Sequence, residues 1–245
     1  MSLTKLQKFL NKPEPPTPNN INYSPILLSD SKGIRLRDQV IANHPVTRHT
    51  RWWCDSGAST QRQYLWLKRN LDRQFPNTRT AWIYVWLDTC NLIQKDKKYI
   101  AIKSPESDTS IETILEYIQK IIDLIKEHPG CKVTILEIPV YSIVSWNKHS
   151  GHKNPEKFTE QDSQLENQIY KLNGQIRQLN TQLGVYSPQF TTDLQYHRKV
   201  KKDTHPKNRN YFNFDLYVDG IHPCRTLARY WLRKISTQMR RDCWS

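Results

Sequence analysis

Near-continuous apolar runs that alternate with amphipathic segments constrain this fold more than any other feature of the sequence. The most apolar run, residues 81–87, reads Ala-Trp-Ile-Tyr-Val-Trp-Leu and shows no alternation of polar and apolar positions. A strand buried on both faces of a parallel sheet has this composition, whereas a strand with one wet face alternates. Four further strands are predicted at residues 25–31, 50–55, 132–139 and 183–186.

Amphipathic helices are predicted between and after these strands, where apolar residues recur every three or four positions. The predicted helices span residues 60–75, 110–127, 160–182 and 224–240. Strands that alternate with helices favour right-handed βαβ connections. The predicted fold is therefore α/β: a three-layer α/β/α sandwich of the flavodoxin-like type, with a mostly parallel five-stranded sheet.

The two ends of the chain differ in composition from the middle. Residues 1–22 are polar and contain Pro13, Pro15, Pro16 and Pro18, which predicts a flexible N-terminal tail. Residues 23–245 are predicted to form one domain, because their length suits a single α/β unit.

A strong positive charge predicts an anionic partner. The formal net charge is +14, and residues 198–245 contain twelve Lys or Arg against four Asp. Nucleic acid is one such partner, bound by basic side chains with Trp146 and Tyr196 as stacking candidates. A basic surface without a specific ligand is the alternative. The predicted nucleic-acid-binding residues are Arg198, Lys199, Lys201, Lys202, Lys207 and Arg209.

The cysteines and the apolar runs bear on cofactors and location. The five cysteines are scattered, without a CxxC pair or a Cys/His spacing that suits zinc, so neither a metal nor a cofactor is expected. Scattered thiols, the lack of an apolar signal core and the lack of a membrane-length apolar run predict an intracellular protein, cytoplasmic or nuclear. The oligomeric state stays open.

Chemically competent side chains follow the predicted strands. Ser31 ends the first strand segment, Gly57 follows the second, and Asp219 and His222 lie three residues apart before the last helix. An Asp and a His on a tight turn can serve as orienter and base for a serine nucleophile. Taken alone, Ser31 is equally compatible with a helix cap.

In this order, the residues resemble the SGNH hydrolase superfamily of GDSL-like esterases and lipases, over roughly residues 24–240. The family's Gly-Asp-Ser block corresponds to Ser29-Asp30-Ser31, and its Asp-x-x-His block to Asp219 and His222. The resemblance implies that Ser31 is the nucleophile, His222 the base and Asp219 its orienter. It also implies that Ser31 and Gly57 contribute N–H groups to an oxyanion hole.

The third block of that family differs here. Its Gly-x-Asn-Asp pattern corresponds to Asp88-Thr-Cys-Asn91, so Cys90 takes the position of the oxyanion asparagine. A thiol is a weaker donor than an amide, and loss of one oxyanion donor costs about 10²–10³ in rate. Asn91 is an alternative donor if the turn shifts by one residue. Cys90 as a nucleophile is a weaker alternative, because no histidine is close in sequence.

Two functions follow from these patterns. The first is a serine esterase that hydrolyses an acyl ester through an acyl-enzyme, weakened by Cys90. The alternative is a catalytically degenerate hydrolase-fold module that binds nucleic acid. Esterase-like domains of this superfamily occur in proteins of some retrotransposons, and the tryptophan-rich sequence here is similar to such domains.

Overall fold

The computed structural model describes residues 1–41, 44–74, 80–105, 107–195 and 212–245. Its strands, in chain order, are β1 (Ser24–Ser29), β2 (Arg51–Cys54), β3 (Ala81–Trp86), β4 (Ile93–Asp96), β5 (Tyr99–Ile102) and β6 (Cys131–Ile135). Its α-helices are α1 (Leu3–Leu10), α2 (Ser31–Arg37), α3 (Thr60–Gln74), α4 (Thr89–Leu92), α5 (Thr109–Lys126), α6 (Ile143–His149), α7 (Thr159–Gln182) and α8 (Arg225–Cys243).

A parallel sheet with the order β2-β1-β3-β6 forms the centre of the domain. All six residues of β3 are buried, as their uninterrupted apolar sequence predicts. Helices flank the sheet: α3 packs against α5, while α1 and α2 pack against α8. The predicted α/β class with a parallel sheet is thus confirmed. In the described ranges, no helix is both long enough and apolar enough to cross a membrane.

The described sheet has four parallel strands, so the prediction of five differs from the structure by one. Residues 183–186 do not form a strand; Leu183 ends α7, and Gly184 continues the turn with a φ of +66°. The apolar character of Leu183 and Val185 reflects packing against the core rather than strand pairing.

Side-chain amides from α7 take the place of a further strand along β6. Asn180 accepts from the Ile135 N–H at 3.0 Å and donates to the Ile135 carbonyl at 2.7 Å. Asn173 makes the same pair of bonds to Ile138, at 2.8 Å each. A carboxamide has the donor and acceptor geometry of a peptide group, so it satisfies buried backbone groups as a neighbouring strand does.

The strands β4 and β5 form a separate antiparallel hairpin. An asparagine again satisfies its outer edge, because Asn147 of α6 accepts from the Ile100 N–H at 2.9 Å and donates to the Ile100 carbonyl at 2.8 Å. These bonds attach the hairpin directly to α6.

The N-terminal segment, predicted to be a flexible tail, lies against the domain. Leu6 of α1 is fully buried, and the rings of Phe9 and Tyr230 are 4.7 Å apart. Arg233 of α8 donates to the carbonyls of Phe9 and Leu10 at 2.7 and 2.9 Å, at the end of α1. The polar composition did not predict this, because the partner of the segment lies more than 200 residues away in the chain.

Replacing Asn180 with Ala should lower the free energy of unfolding by about 2–4 kcal/mol, because two buried backbone groups lose their partner. Urea denaturation followed by circular dichroism measures the change. Asn167→Ala, at an exposed position of the same helix, is the matched control and should change it by less than about 0.5 kcal/mol. Equal effects of the two substitutions would contradict the claim that Asn180 stabilises the fold by hydrogen bonding to the edge of β6.

Candidate active site

The segment before α8 closes into a tight loop that presents Asp219 and His222. The Val218 N–H donates to the His222 carbonyl at 2.8 Å, and the Cys224 N–H donates to the Leu216 carbonyl at 2.8 Å. These two bonds join the two arms of the loop, so backbone hydrogen bonds alone define the conformation of its tip.

Gly220 lets this loop approach α6 closely. Its φ is +95°, and a Cβ at this position would lie 2.7 Å from the backbone nitrogen of Trp146 and 2.9 Å from the carbonyl of Ser142. The Gly220 carbonyl accepts from the Ser142 N–H at 3.0 Å. Glycine is therefore required by both conformation and space.

The Asp219 carboxylate holds the imidazole of His222 with one oxygen and the loop backbone with the other. Its Oδ2 lies 2.6 Å from His222 Nδ1, while its Oδ1 accepts from the N–H groups of Ile221 at 3.0 Å and His222 at 2.8 Å. Burial raises the pKa of Asp219, but these hydrogen bonds outweigh that effect and hold its pKa below the ordinary value. The carboxylate is therefore ionised at neutral pH.

Ser31 completes a hydrogen-bonded chain with this pair. It is the first residue of α2, directly after β1, and the Asp30 side chain caps this helix by accepting from the Lys32 N–H at 2.8 Å. The Ser31 Oγ lies 3.0 Å from His222 Nε2, although 191 positions separate the two residues. The structure thus brings together Ser31, His222 and Asp219, the three residues that the sequence predicted.

Ser29 stands at the position of the glycine in the family's Gly-Asp-Ser block. Gly33, one helical turn later, leaves room for its side chain. The Ser29 side chain is fully buried, and its Oγ donates to the Trp86 carbonyl at 2.7 Å. A Cβ on Gly33 would lie 2.5 Å from the Ser29 Cβ. The close contact between the end of β1 and α2 therefore needs a residue without a side chain, and Gly33 of α2 is that residue.

The backbone N–H groups of Ser31 and Gly57 follow the ends of β1 and β2. Within the described residues, neither the Ser31 N–H nor the Gly57 N–H has a hydrogen-bond acceptor. Gly57 is exposed, with a φ of +69° and no atom within 4 Å of where a Cβ would lie. Unpaired N–H groups next to a serine can bind a developing oxyanion.

Cys90 and Asn91 differ in their surroundings. Burial raises the pKa of the Cys90 thiol to about 11, and the Asp30 carboxylate adds to the rise. At neutral pH this thiol is therefore a neutral S–H group rather than a thiolate nucleophile. Asn91 turns toward the start of α3, where its Oδ1 accepts from the N–H of Thr60 at 3.0 Å.

Comparisons with known proteins agree with this architecture. No protein-family model and no curated protein sequence matches the chain. Solved structures do match. A GDSL-like lipase from Bacteroides thetaiotaomicron superposes with a TM-score of 0.61 at 10% identity, over 98% of this chain and 100% of that one. A lipase/acylhydrolase from Enterococcus faecalis gives 0.54 at 10% identity, over 90% and 97%.

The chain has the SGNH hydrolase fold. An acetyl xylan esterase is a further structural neighbour, with a TM-score of 0.50 at 14% identity over 86% of this chain and 97% of that one. In this fold, Ser31, Gly57 and Cys90 all follow the carboxyl ends of parallel strands, which is where α/β sheets place their sites.

Lys32, which directly follows Ser31, is a buried lysine that the sequence did not predict. The Lys32 side chain is about as buried as Asp30, and its Nζ lies 2.6 Å from the Asp30 carboxylate. The same ammonium donates to the hydroxyl of Thr89, next to Cys90. One signal was present: Lys32 lies one helical turn before the buried Leu36 and so shares its face.

Asp88 is a second buried charge at this edge. It has a left-handed φ of +88°, and its Oδ1 accepts from the Thr60 hydroxyl at 2.6 Å. Burial raises the pKa of Asp88 to about 6, against the opposing effects of Thr60 and Lys32. Asp30, Lys32, Thr60, Asp88 and Thr89 together form a polar cluster that joins the ends of β1 and β3 to the start of α3.

The predicted nucleic-acid residues are only partly within the described ranges. Arg198, Lys199, Lys201, Lys202, Lys207 and Arg209, together with Tyr196, lie outside the described residues, so that interface stays a prediction. Trp146 is described and half-buried, and its ring centroid lies 5.9 Å from that of His222. It therefore lies beside the candidate site. Among the described residues, no group of three or more His, Cys, Asp or Glu could hold a metal ion.

Replacing Lys32 with Met should lower the free energy of unfolding by about 3–5 kcal/mol, because the buried Asp30 carboxylate loses its counter-ion. The double variant Asp30→Asn/Lys32→Met removes both charges and should recover most of this loss. Chemical denaturation of the three proteins measures both effects. A double variant as unstable as the single one would show that packing, rather than charge pairing, explains the loss.

Asp88→Asn should change the pH dependence of stability. Because the folded pKa is about 6 and the ordinary value is 3.8, the folded state holds this proton more tightly, and wild-type stability falls as pH rises between these values. The stability of Asp88→Asn relative to wild type should therefore be greater at pH 8 than at pH 3 by about 3 kcal/mol. Denaturation midpoints of both proteins between pH 3 and pH 8 test this prediction. A stability difference that does not change with pH would contradict the raised pKa of Asp88.

Proposed function

We propose that this protein is a serine acyl-ester hydrolase of the SGNH type. The observation that carries the proposal is the chain of hydrogen bonds from Ser31 Oγ to His222 Nε2, at 3.0 Å, and from His222 Nδ1 to the Asp219 carboxylate, at 2.6 Å. Nucleophile, base and orienter in this geometry are the arrangement that acyl transfer through a serine requires. The structural similarity to a GDSL-like lipase and a lipase/acylhydrolase supports the same reaction class.

In the first half of the proposed reaction, Ser31 Oγ attacks the carbonyl carbon of the ester while His222 Nε2 takes its proton. Asp219 keeps the proton of the imidazole on Nδ1 and stabilises the imidazolium that forms. The negative charge moves to the carbonyl oxygen, where the N–H groups of Ser31 and Gly57 can bind it. The neutral thiol of Cys90 would be the third and weakest donor.

In the second half, the tetrahedral intermediate collapses and the bond to the alcohol oxygen breaks. His222 gives its proton to the departing alcohol, which leaves an acyl-enzyme ester on Ser31. Water then attacks this ester as His222 takes a proton from it, and collapse of the second intermediate returns that proton to Ser31 Oγ. The products are a carboxylic acid and the free alcohol, and no step needs a metal or a redox partner.

Replacing Ser31 with Ala should lower kcat/KM for p-nitrophenyl acetate by at least about 10³-fold, because the covalent route is lost. Asp219→Asn should lower it by about 10⁴-fold, since the imidazole then loses its preferred tautomer. Ser163→Ala, at an exposed serine of α7, is the matched control and should match the wild type.

A second measurement links activity to the nucleophile directly. A fluorophosphonate should add to Ser31, and mass spectrometry of the digested protein locates the adduct. Turnover that persists in Ser31→Ala, or an adduct on another residue, would overturn the proposed mechanism.

A further inference from the structure

The indole of Trp146 lies beside the imidazole of His222 in the candidate site. Its ring centroid lies 5.9 Å from that of His222, with the two ring planes tilted by 52°. The indole Nε1–H donates to the Lys98 carbonyl at 3.0 Å, in the turn between β4 and β5. The neighbouring Asn147 holds the same hairpin through Ile100, so the position of the indole is set by several contacts.

The proton transfer of the proposed reaction determines which part of a substrate comes near this indole. The departing alcohol oxygen must take its proton from His222 Nε2, so the alcohol portion lies next to the imidazole. The acyl carbon, in contrast, is bound to Ser31 Oγ. An aromatic ring in contact distance of the imidazole therefore lies next to the alcohol portion of the substrate rather than next to its acyl portion.

The indole can offer only apolar surface and a π face to that neighbour. Its single polar group already donates to the Lys98 carbonyl, so it cannot also donate to a substrate. Flat rings and sugar-like rings bury more apolar area against such a surface than short alkyl groups do, and aromatic pairs gain roughly 0.5–1.5 kcal/mol beyond this area.

We propose that Trp146 is a specificity-determining residue that selects esters whose alcohol portion carries a ring. This inference rests on the proposed serine mechanism and adds the substrate class to it. Short alkyl acetates would react by the same steps but without the contact to the indole. The acyl portion would be selected elsewhere.

A comparison of two acetate esters with alcohols of similar acidity tests the proposal. We expect wild-type protein to hydrolyse benzyl acetate with a kcat/KM about tenfold above that for ethyl acetate, and Trp146→Ala to lower this ratio roughly 3- to 10-fold. The ratio for ethyl acetate against ethyl butyrate, which varies only the acyl chain, should stay unchanged. Trp66→Ala is the matched control, because Trp66 is a half-buried tryptophan of α3 that contacts Trp53.

Trp146→Phe separates selectivity from structure, because it keeps a ring but removes the donor to Lys98. It should retain most of the preference for benzyl acetate, and it serves as the second variant if Trp146→Ala does not fold. An unchanged ratio in Trp146→Ala, an equal loss for both acetates, or a loss in Trp146→Phe as large as that in Trp146→Ala would overturn the inference. Wild-type turnover equal to that of Ser31→Ala would instead overturn the serine mechanism itself, and the inference with it.

Discussion

The parallel pairing of β1 with both β2 and β3 is the constraint on which the candidate site depends. Ser29, the last residue of β1, is in register with Cys54 of β2 and Trp86 of β3. All three strands therefore end at one edge of the sheet, and the turns that follow carry Ser31, Gly57 and Cys90. Because parallel strands need crossover helices, these three turns are distant in sequence but adjacent in space.

Buried polar groups at this edge are paired in two ways. Charged groups are paired directly: the Lys32 ammonium contacts Asp30 and Thr89 and so joins the turn before Ser31 to the turn before Cys90. Backbone groups at the margins are paired by carboxamides instead, as Asn180 shows for β6. A buried polar group without a partner costs about 1–3 kcal/mol of folding free energy. Both kinds of pairing therefore favour the one arrangement of the turns in which these groups are satisfied.

The patterns of the sequence predicted much of this architecture because they depend on local periodicity. The helices α3, α5, α7 and α8 lie within a few residues of their predicted bounds, and the sheet is parallel as its apolar strands suggest. The extra strand at residues 183–186 was an error of the same method. A short apolar stretch has the same composition whether it pairs as a strand or packs after a helix end, and no local signal showed that Asn173 and Asn180 satisfy the edge of β6.

The order of residue types along the chain, through the family it resembles, predicted Ser31, Asp219 and His222 as partners, and the periodicity of apolar residues predicted the fold class. Distances that join remote segments were decided only by tertiary structure. They include the 3.0 Å between Ser31 Oγ and His222 Nε2 and the position of Trp146 next to His222. Trp146 was predicted to stack on nucleic acid, as an exposed ring would, and no burial was predicted for Lys32. Whether a side chain is buried depends on what packs over it, and that is a property of the folded chain rather than of the local sequence.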